Sequence, residues 1–335
     1  MSSLDQDTEQ EIAEKALVQQ AFEAGDLHRA VFDQLDEGVY IVDRKRRILY
    51  WNTGAEQITG YRAHEVIGEF CQNDLMMHCD VNGRGMCGAL CPLAATILDG
   101  RGRETLMFVR HRHGHRLPVR MRSRAILGSD GQPIGAVEVF EALRAPQRIE
   151  SSLLDEYGCL DKLTNLSNRQ YGEMRLAQSI EALRAFNIPF GWLAVELDKI
   201  QSLEQRFGHG VIDTALKMVA ATLDANVGAL DVVTYWERGE FRIECHSCWR
   251  EGPAEMAQRL VTLVRTSNLE WWGDPMHVTV SIGGGMSLPG DTRQEVEARA
   301  SAALAVCRER GGNRAHVRGG LSDLRVLDEG ICLPS

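Results

Sequence analysis

The apolar residues change their spacing once along the chain, and that change limits what the chain can fold into. From Val39 to Leu143 they come in short runs split by turn residues: VYIVD, RILYW, TLMFVRHRHGHRLPVRMRSRAI and IGAVEVFEAL. Such runs, with Gly-His at 114–115 and Asp-Gly at 130–131, spell strands of an antiparallel sheet joined by hairpins. Residues 53–100 read as short helices and loops between the second and third strands. After residue 158 the pattern alternates. Helical spacing near 168–186, 201–226, 253–268 and 292–311 is interleaved with strands near 190–198, 231–236, 240–245 and 276–285. Alternation of this kind argues an α/β or α+β sheet domain. At 335 residues the chain is long enough for two domains of ordinary size.

Helices frame these units. Ile12, Ala16, Leu17, Ala21 and Phe22, then Leu27, Ala30, Val31 and Leu35, recur at steps of mostly three and four, an amphipathic pattern broken near Gly25. Ile149, Leu153, Leu154 and Tyr157 mark a connecting helix over 144–158, with Pro146 near its start. Both expose apolar stripes suited to pairing with a second copy, and together with the dimerising families that the two halves resemble, described below, they make a homodimer the expectation. The opening MSSLDQDTEQ is acidic where a secretory signal is basic and then apolar, and no run reaches the roughly 20 apolar residues of a membrane span. A cytoplasmic location follows as the expectation, with no membrane partner. The 37 Lys and Arg against 47 Asp and Glu leave a formal charge of −10, which argues against a nucleic-acid partner. The basic stretch from Arg110 to Arg124 does not reverse that. Arg116, Arg120, Arg122 and Arg124 alternate with Leu117, Val119, Met121 and Ser123, which puts the arginines on the solvent face of a strand.

The run 36–68 carries Gly38, Asp43, Ile48, Asn52, Ala55, Gly60, Tyr61, Glu65 and Gly68 in the order that opens PAS domains, and 111–140 has the look of the closing hairpin. Residues 31–141 are thereby similar to that family. The resemblance implies a five-stranded antiparallel sheet with helices that binds a small ligand or cofactor, or only dimerises, and signals through a terminal helix. It does not say which ligand. Cys71 stands where flavin-binding light sensors of the superfamily carry a reactive cysteine, yet Phe70 and Gln72 replace the Asn and Arg expected beside it, and Arg120 occupies the neighbourhood of a flavin-bonding Asn. Nine cysteines in a chain without an export signal default to free thiols. Four of them, Cys71, Cys79, Cys87 and Cys91, cluster around His78. That cluster reads either as a metal, haem or redox site or as buried thiols; its gaps are not those of paired C-x-x-C knuckles. The lone C-x-x-C at Cys245 and Cys248 reads as structural.

The second half resembles GGDEF domains over 159–318. DKLTNLSNR at 161–169 matches the family's D-x-L-T-G-L-x-N-R entry with Asn165 for Gly, VELDKIQSLEQRFGHGVID its D-x-D to G-D block, VTVSIGGG its late strand, and AALAVCRERGGNRAHV its last helix and tail. The resemblance implies an α/β sheet domain whose active members join two GTP into cyclic di-GMP, using Mg2+ and one half-site from each of two subunits. Carried over residue by residue, the first metal carboxylate is Glu196. The second is Gly239, which has none. The name-giving five residues become Glu237, Arg238, Gly239, Glu240 and Phe241. Glu240 is the retained position that supports catalysis in active relatives. The guanine-reading pair becomes Glu204 and Asp213, and an ionised Glu204 cannot donate to guanine O6 as an amide can. A phosphate-meeting lysine becomes Gln201, while Arg308 keeps the basic position on the last helix. The product-feedback R-x-x-D becomes Gly228, Ala229, Leu230, Asp231, without its arginine.

The expected layout is therefore a helix over 1–30, a PAS domain over 31–143, a linker helix over 144–158, a degenerate GGDEF domain over 159–318 and a tail over 319–335. The expected protein is a signalling module whose GGDEF domain acts by dimerisation, nucleotide binding or partner binding. The alternative is an active cyclase controlled by the PAS domain.

Overall fold

The computed structural model describes residues 26–143 other than 72, 74 and 89, then 151–246 and 252–318. The expected helix before residue 26, the linker over 144–150, Cys248 and the tail lie outside the described residues. The chain divides into two compact units, the first ending at Leu143, with the short stretch Gly114–Arg116 grouped with the second.

In the first unit, α1 (Asp26–Phe32) precedes β1 (Gly38–Asp43) and β2 (Ile48–Trp51). Helices α2 (Thr53–Thr59), α3 (Ala63–Val66) and α4 (Pro92–Asp99) follow, then β3 (Arg103–Arg110), β4 (Arg116–Leu127) and β5 (Pro133–Ala142). The five strands form one sheet in the order β2-β1-β5-β4-β3, with β5 antiparallel to both β1 and β4. Side chains alternate across it. Tyr40, Val42, Met121, Ala136 and Phe140 face a core shared with Ala55, Ile58 and Leu93, while Val39, Ile41 and Tyr50 occupy the other face.

Asn52 shows why the opening motif needs its residues. Its Oδ1 accepts the N–H of Val39 and of Ala55, and its Nδ2 donates to the carbonyls of Phe32 and Glu37, so one fully buried amide caps α2 and ties two loops to it. Gly54 follows because a Cβ there would lie 2.3 Å from the Glu37 carbonyl oxygen. On β4 the expected alternation holds only in part. Arg120 and Arg124 are exposed and Arg122 is half-buried, but Arg116 is buried. It belongs to the stretch that groups with the second unit, so it does not stand on the open face as the alternation had it.

The second unit contains α5 (Ser151–Glu156), α6 (Arg169–Phe186), β6 (Gly191–Leu197), α7 (Ile200–Phe207), α8 (His209–Ala225), β7 (Val232–Glu237) and β8 (Glu240–Cys245). Next come α9 (Pro253–Thr266), β9 (Leu269–Trp271), β10 (Asp274–Met276), β11 (Val280–Met286), α10 (Arg293–Glu309) and β12 (Ala315–Arg318). The expected single helix over 201–226 is two, because Gly208 at φ 84° and ψ 174° leaves the helical region between them. The ribbon β9–β10 was not legible in the sequence.

Five strands form a mixed sheet in the order β12-β11-β6-β8-β7, parallel only between β11 and β12. Its central strand GWLAVEL sends Leu193, Val195 and Leu197 into a core with α8 and α9. Trp192 and Ala194 point the other way, into a core with α6 and α10. The result is a three-layer arrangement in which the C-terminal end of β6 and the tip of the β7–β8 hairpin meet.

Candidate functional site at the hairpin tip

The β7–β8 turn is as tight as a hairpin allows. Glu237 pairs with Glu240, leaving Arg238 and Gly239 as a two-residue loop with φ values of 45° and 88°. Two positive φ values in succession define a type I′ turn, in which glycine fits the second position without steric cost. A Cβ on Gly239 would lie 3.1 Å from Ile200 Cδ1 and 3.2 Å from Leu197 Cβ, and the Gly239 carbonyl accepts the N–H of Leu197 at 2.9 Å. The tip is thus pressed onto the end of β6 and the start of α7, with no side-chain oxygen at 239.

Glu196 and Glu240 lie directly opposite each other on β6 and β8. Each carboxylate is engaged by an arginine. Arg308 Nε, from the last turn of α10, donates to Glu196 Oε2. Arg242, whose side chain is 6% exposed, reaches Glu240 at 3.2 Å and Glu297 at 2.7 Å, and Glu297 also accepts from the indole of Trp192. The Arg242 guanidinium stacks on Trp236 at 4.9 Å, and Arg169 lies over the same ring at 5.1 Å. A groove of about 740 Å³ between α6 and α10 opens beside this ring, lined by Arg169, Arg184, Arg293, Glu173 and Leu176.

The opposite side of the tip carries the positions expected to read guanine. Asp213 is exposed on α8 and Glu204 is half-buried on α7. Tyr235, on β7, lies near Asp213 and the hairpin turn. Burial pushes its phenol above the ordinary value, N–H groups of Gly239 and Arg238 donated to it pull the other way, and the Asp161 and Asp213 carboxylates add to the rise. Gln201 is exposed on α7. The fold therefore gathers Glu196, Asp213, Glu240 and Arg308 around one end of the sheet.

Asp198 was not singled out by the sequence. Its Oδ1 accepts the hydroxyl of Ser281 and its Oδ2 accepts Thr279 Oγ1 and the N–H of Asn313, at 2.7, 2.7 and 2.8 Å. It is a clamp that holds the loop after α10 against β6. Asn165 stands at φ 59° with its N–H on the Asp161 carbonyl, so it takes the left-handed backbone that glycine supplies elsewhere, as asparagine tolerates. At the expected feedback position Asp231 is buried and accepts the N–H groups of Gly228 and His246. A cavity of about 370 Å³ adjoins it, lined among others by Asp224, Leu230 and Arg175, whose guanidinium is 2.8 Å from the buried Glu244.

In the first unit, Cys71, Cys87, Cys91 and His78 line one interior cavity together with Tyr40 and Glu138. Its volume of about 10 Å³ is at the limit for one water, so neither a flavin nor a haem fits there. Among the described residues no group of three or more His, Cys, Asp or Glu is arranged to hold a metal ion. Cys79 lies apart, its backbone bridged to Gly85 and Phe108. Glu138 was missed in the sequence. It is 2% exposed and accepts the Tyr40 hydroxyl, and burial, opposed by that hydrogen bond, raises its carboxyl to about 7.

Residues 159–314 match the family model "Diguanylate cyclase, GGDEF domain" and residues 32–148 match the "PAS fold" model. The chain thus carries a PAS domain followed by a GGDEF domain and is a signalling protein related to the diguanylate cyclases. Among its curated relatives, the probable diguanylate cyclase DgcE of Escherichia coli K12 is 22% identical over 90% of this chain and 27% of its own length. The bifunctional diguanylate cyclase/cyclic di-GMP phosphodiesterase MucR of Pseudomonas aeruginosa is 31% identical over 46% of this chain and 22% of its own. The chain spans about a quarter of the length of these relatives. A solved structure of the diguanylate cyclase SiaD of P. aeruginosa, in complex with its activator SiaC, covers 50% of this chain and 64% of SiaD at 23% identity and a TM-score of 0.46. No helix among the described residues is long and apolar enough to cross a membrane.

Proposed function

We propose that this chain is a cytoplasmic signalling protein in which a PAS sensor controls a GGDEF domain that does not make cyclic di-GMP and acts instead by dimerisation, nucleotide binding or partner binding. The observation that carries the reading is the turn at Gly239. A divalent cation between phosphates needs carboxylate oxygens aimed at it. At 239 there is no carboxylate, and the only other metal-site acid, Glu196, is engaged by Arg308. The donor set does not fit the pair of cations that phosphoryl transfer between two GTP molecules requires. What remains suits binding without turnover: Asp213 is exposed to accept from the guanine edge, and Arg308 lies within one end of the sheet where a phosphate would come.

The competing reading, an active cyclase using GTP and Mg2+, draws on the direct opposition of Glu196 and Glu240 across β6 and β8. It requires Arg308 and Arg242 to release both carboxylates. The test is incubation of the full chain with GTP and Mg2+ and chromatography of the products. Unconverted GTP is the expected result; cyclic di-GMP that vanishes in Glu240→Ala would overturn the proposal.

A further inference from the structure

The cysteine cluster of the PAS domain has a geometry that its spacing did not disclose. Three thiols and one imidazole line a cavity of about 10 Å³, at the limit for one water and too small for an organic cofactor. The three thiols differ in exposure. Cys71 and Cys91 are buried and Cys87 is only partly so. They differ in surroundings too. Cys87 Sγ accepts the backbone N–H of His78 at 3.2 Å and lies 3.5 Å from His78 Nδ1, while Arg46 Nη1 donates to the Cys87 carbonyl at 3.2 Å. An N–H donor, an imidazole and a nearby guanidinium are the surroundings that favour a thiolate. Cys71 has the opposite environment. Burial, then the Glu138 carboxyl, pushes its thiol up.

Cys91 lines the same cavity as Cys87. The Cys91 N–H donates to the Gly88 carbonyl at 3.1 Å, closing a turn that brings residues 87 and 91 to the same cavity. Its Sγ also accepts the N–H of Ala94 at the start of α4 at 3.4 Å.

We propose that this cluster is a thiol oxidation site whose substrate is a small hydroperoxide, with Cys87 as the attacking thiol and Cys91 as the resolving one. His78 Nδ1 takes the Cys87 proton. The thiolate attacks one oxygen of hydrogen peroxide, the O–O bond breaks, and the leaving hydroxide recovers that proton as water, leaving a sulfenic acid on Cys87. Cys91 sulfur then attacks Cys87 sulfur, the S–O bond breaks, and hydroxide leaves with the Cys91 proton as a second water. Two thiols lose two electrons and two protons, and the peroxide is reduced to two waters. The disulfide lies against Tyr40 and Glu138 of the sheet, so oxidation is the input this PAS domain reads.

The test treats the reduced full chain with one equivalent of hydrogen peroxide, alkylates the remaining thiols and maps peptides by mass spectrometry. The expected product is a Cys87–Cys91 disulfide with Cys71 and Cys79 still reduced. Cys91→Ser is expected to stop at a dimedone-trapped sulfenic acid on Cys87, and Cys87→Ser to give neither product. Should Cys87→Ser not fold, the parent chain under limiting iodoacetamide decides, with Cys87 expected to react ahead of every other cysteine. Oxidation that spares Cys87, a Cys71–Cys91 disulfide in its place, or a tightly bound metal that protects all three thiols would overturn the assignment.

Discussion

The guanidinium of Arg308 is hydrogen-bonded to the carboxylate of Glu196, so the basic position on the last helix and the first acidic position on the central strand neutralise each other. Both groups are partly exposed. A phosphate must compete with Glu196 for Arg308, and a cation must compete with Arg308 for Glu196. Arg308→Ala is therefore expected to weaken GTP binding, and Glu196→Gln to leave it equal or stronger. Calorimetry with GTP in the absence of divalent cation measures both.

Placing an acid at the tip is not expected to make the chain produce cyclic di-GMP. Gly239→Asp places a Cβ at φ 88° against Leu197 and Ile200, and is expected to cost about 1–3 kcal/mol of stability. Chemical denaturation reads the loss. Cyclic di-GMP from this single variant would show that the tip tolerates a metal-binding geometry that the present turn denies.

The Tyr40–Glu138 pair makes the PAS domain sensitive to pH. The buried carboxyl titrates at about 7, above its unfolded value, so it is protonated in the fold where the unfolded chain is already ionised. Stability from this group is present in full below the unfolded value and is lost as pH rises toward 7. The loss is about 3 kcal/mol between pH 4.5 and 7.5, at about 1.4 kcal/mol per unit. Glu138→Gln keeps the hydrogen bond to Tyr40 and is expected to flatten that slope in melting curves across the interval. An unchanged slope would place the titration elsewhere.

Asn52 joins α1, β1 and α2 through four hydrogen bonds from one buried side chain. Asn52→Ala strands two N–H groups and two carbonyls, and is expected to cost about 3 kcal/mol. Asn52→Asp keeps the acceptor half alone and should fall between. Urea unfolding of the two variants orders them.

How far the sequence disclosed this depended on whether the information was local. Strand runs such as GWLAVEL and GAVEVF declared themselves as short apolar runs bounded by turns, and helices α6, α9 and α10 fell within two residues of their expected ends, because each carries its own cap or breaker. Gly208 alone did not signal that it divides a helix, since an isolated glycine is tolerated in many. The ribbon β9–β10 is only three residues a side and its Trp272-Gly273 turn has no common hairpin dipeptide. The candidate positions were named through family motifs, but their partners were not: Arg308 reaches Glu196 from helix to strand, and Arg242, two residues from Glu240 on the same strand, is tied across to Glu297 of α10. Glu138 could have been found. In GAVEVF it shares a face with Ala136 and Phe140, an acid at an inward position of an otherwise apolar strand.

The most direct test counts divalent cations at the hairpin tip. Manganese titrated into the protein with a non-hydrolysable GTP analogue, and followed by electron paramagnetic resonance, is expected to show no spin-coupled pair and at most one weakly held ion per chain, unchanged in Glu240→Ala. Two tightly bound, coupled ions that disappear in Glu196→Gln would mean that another acid replaces the one absent at 239, and would contradict the account.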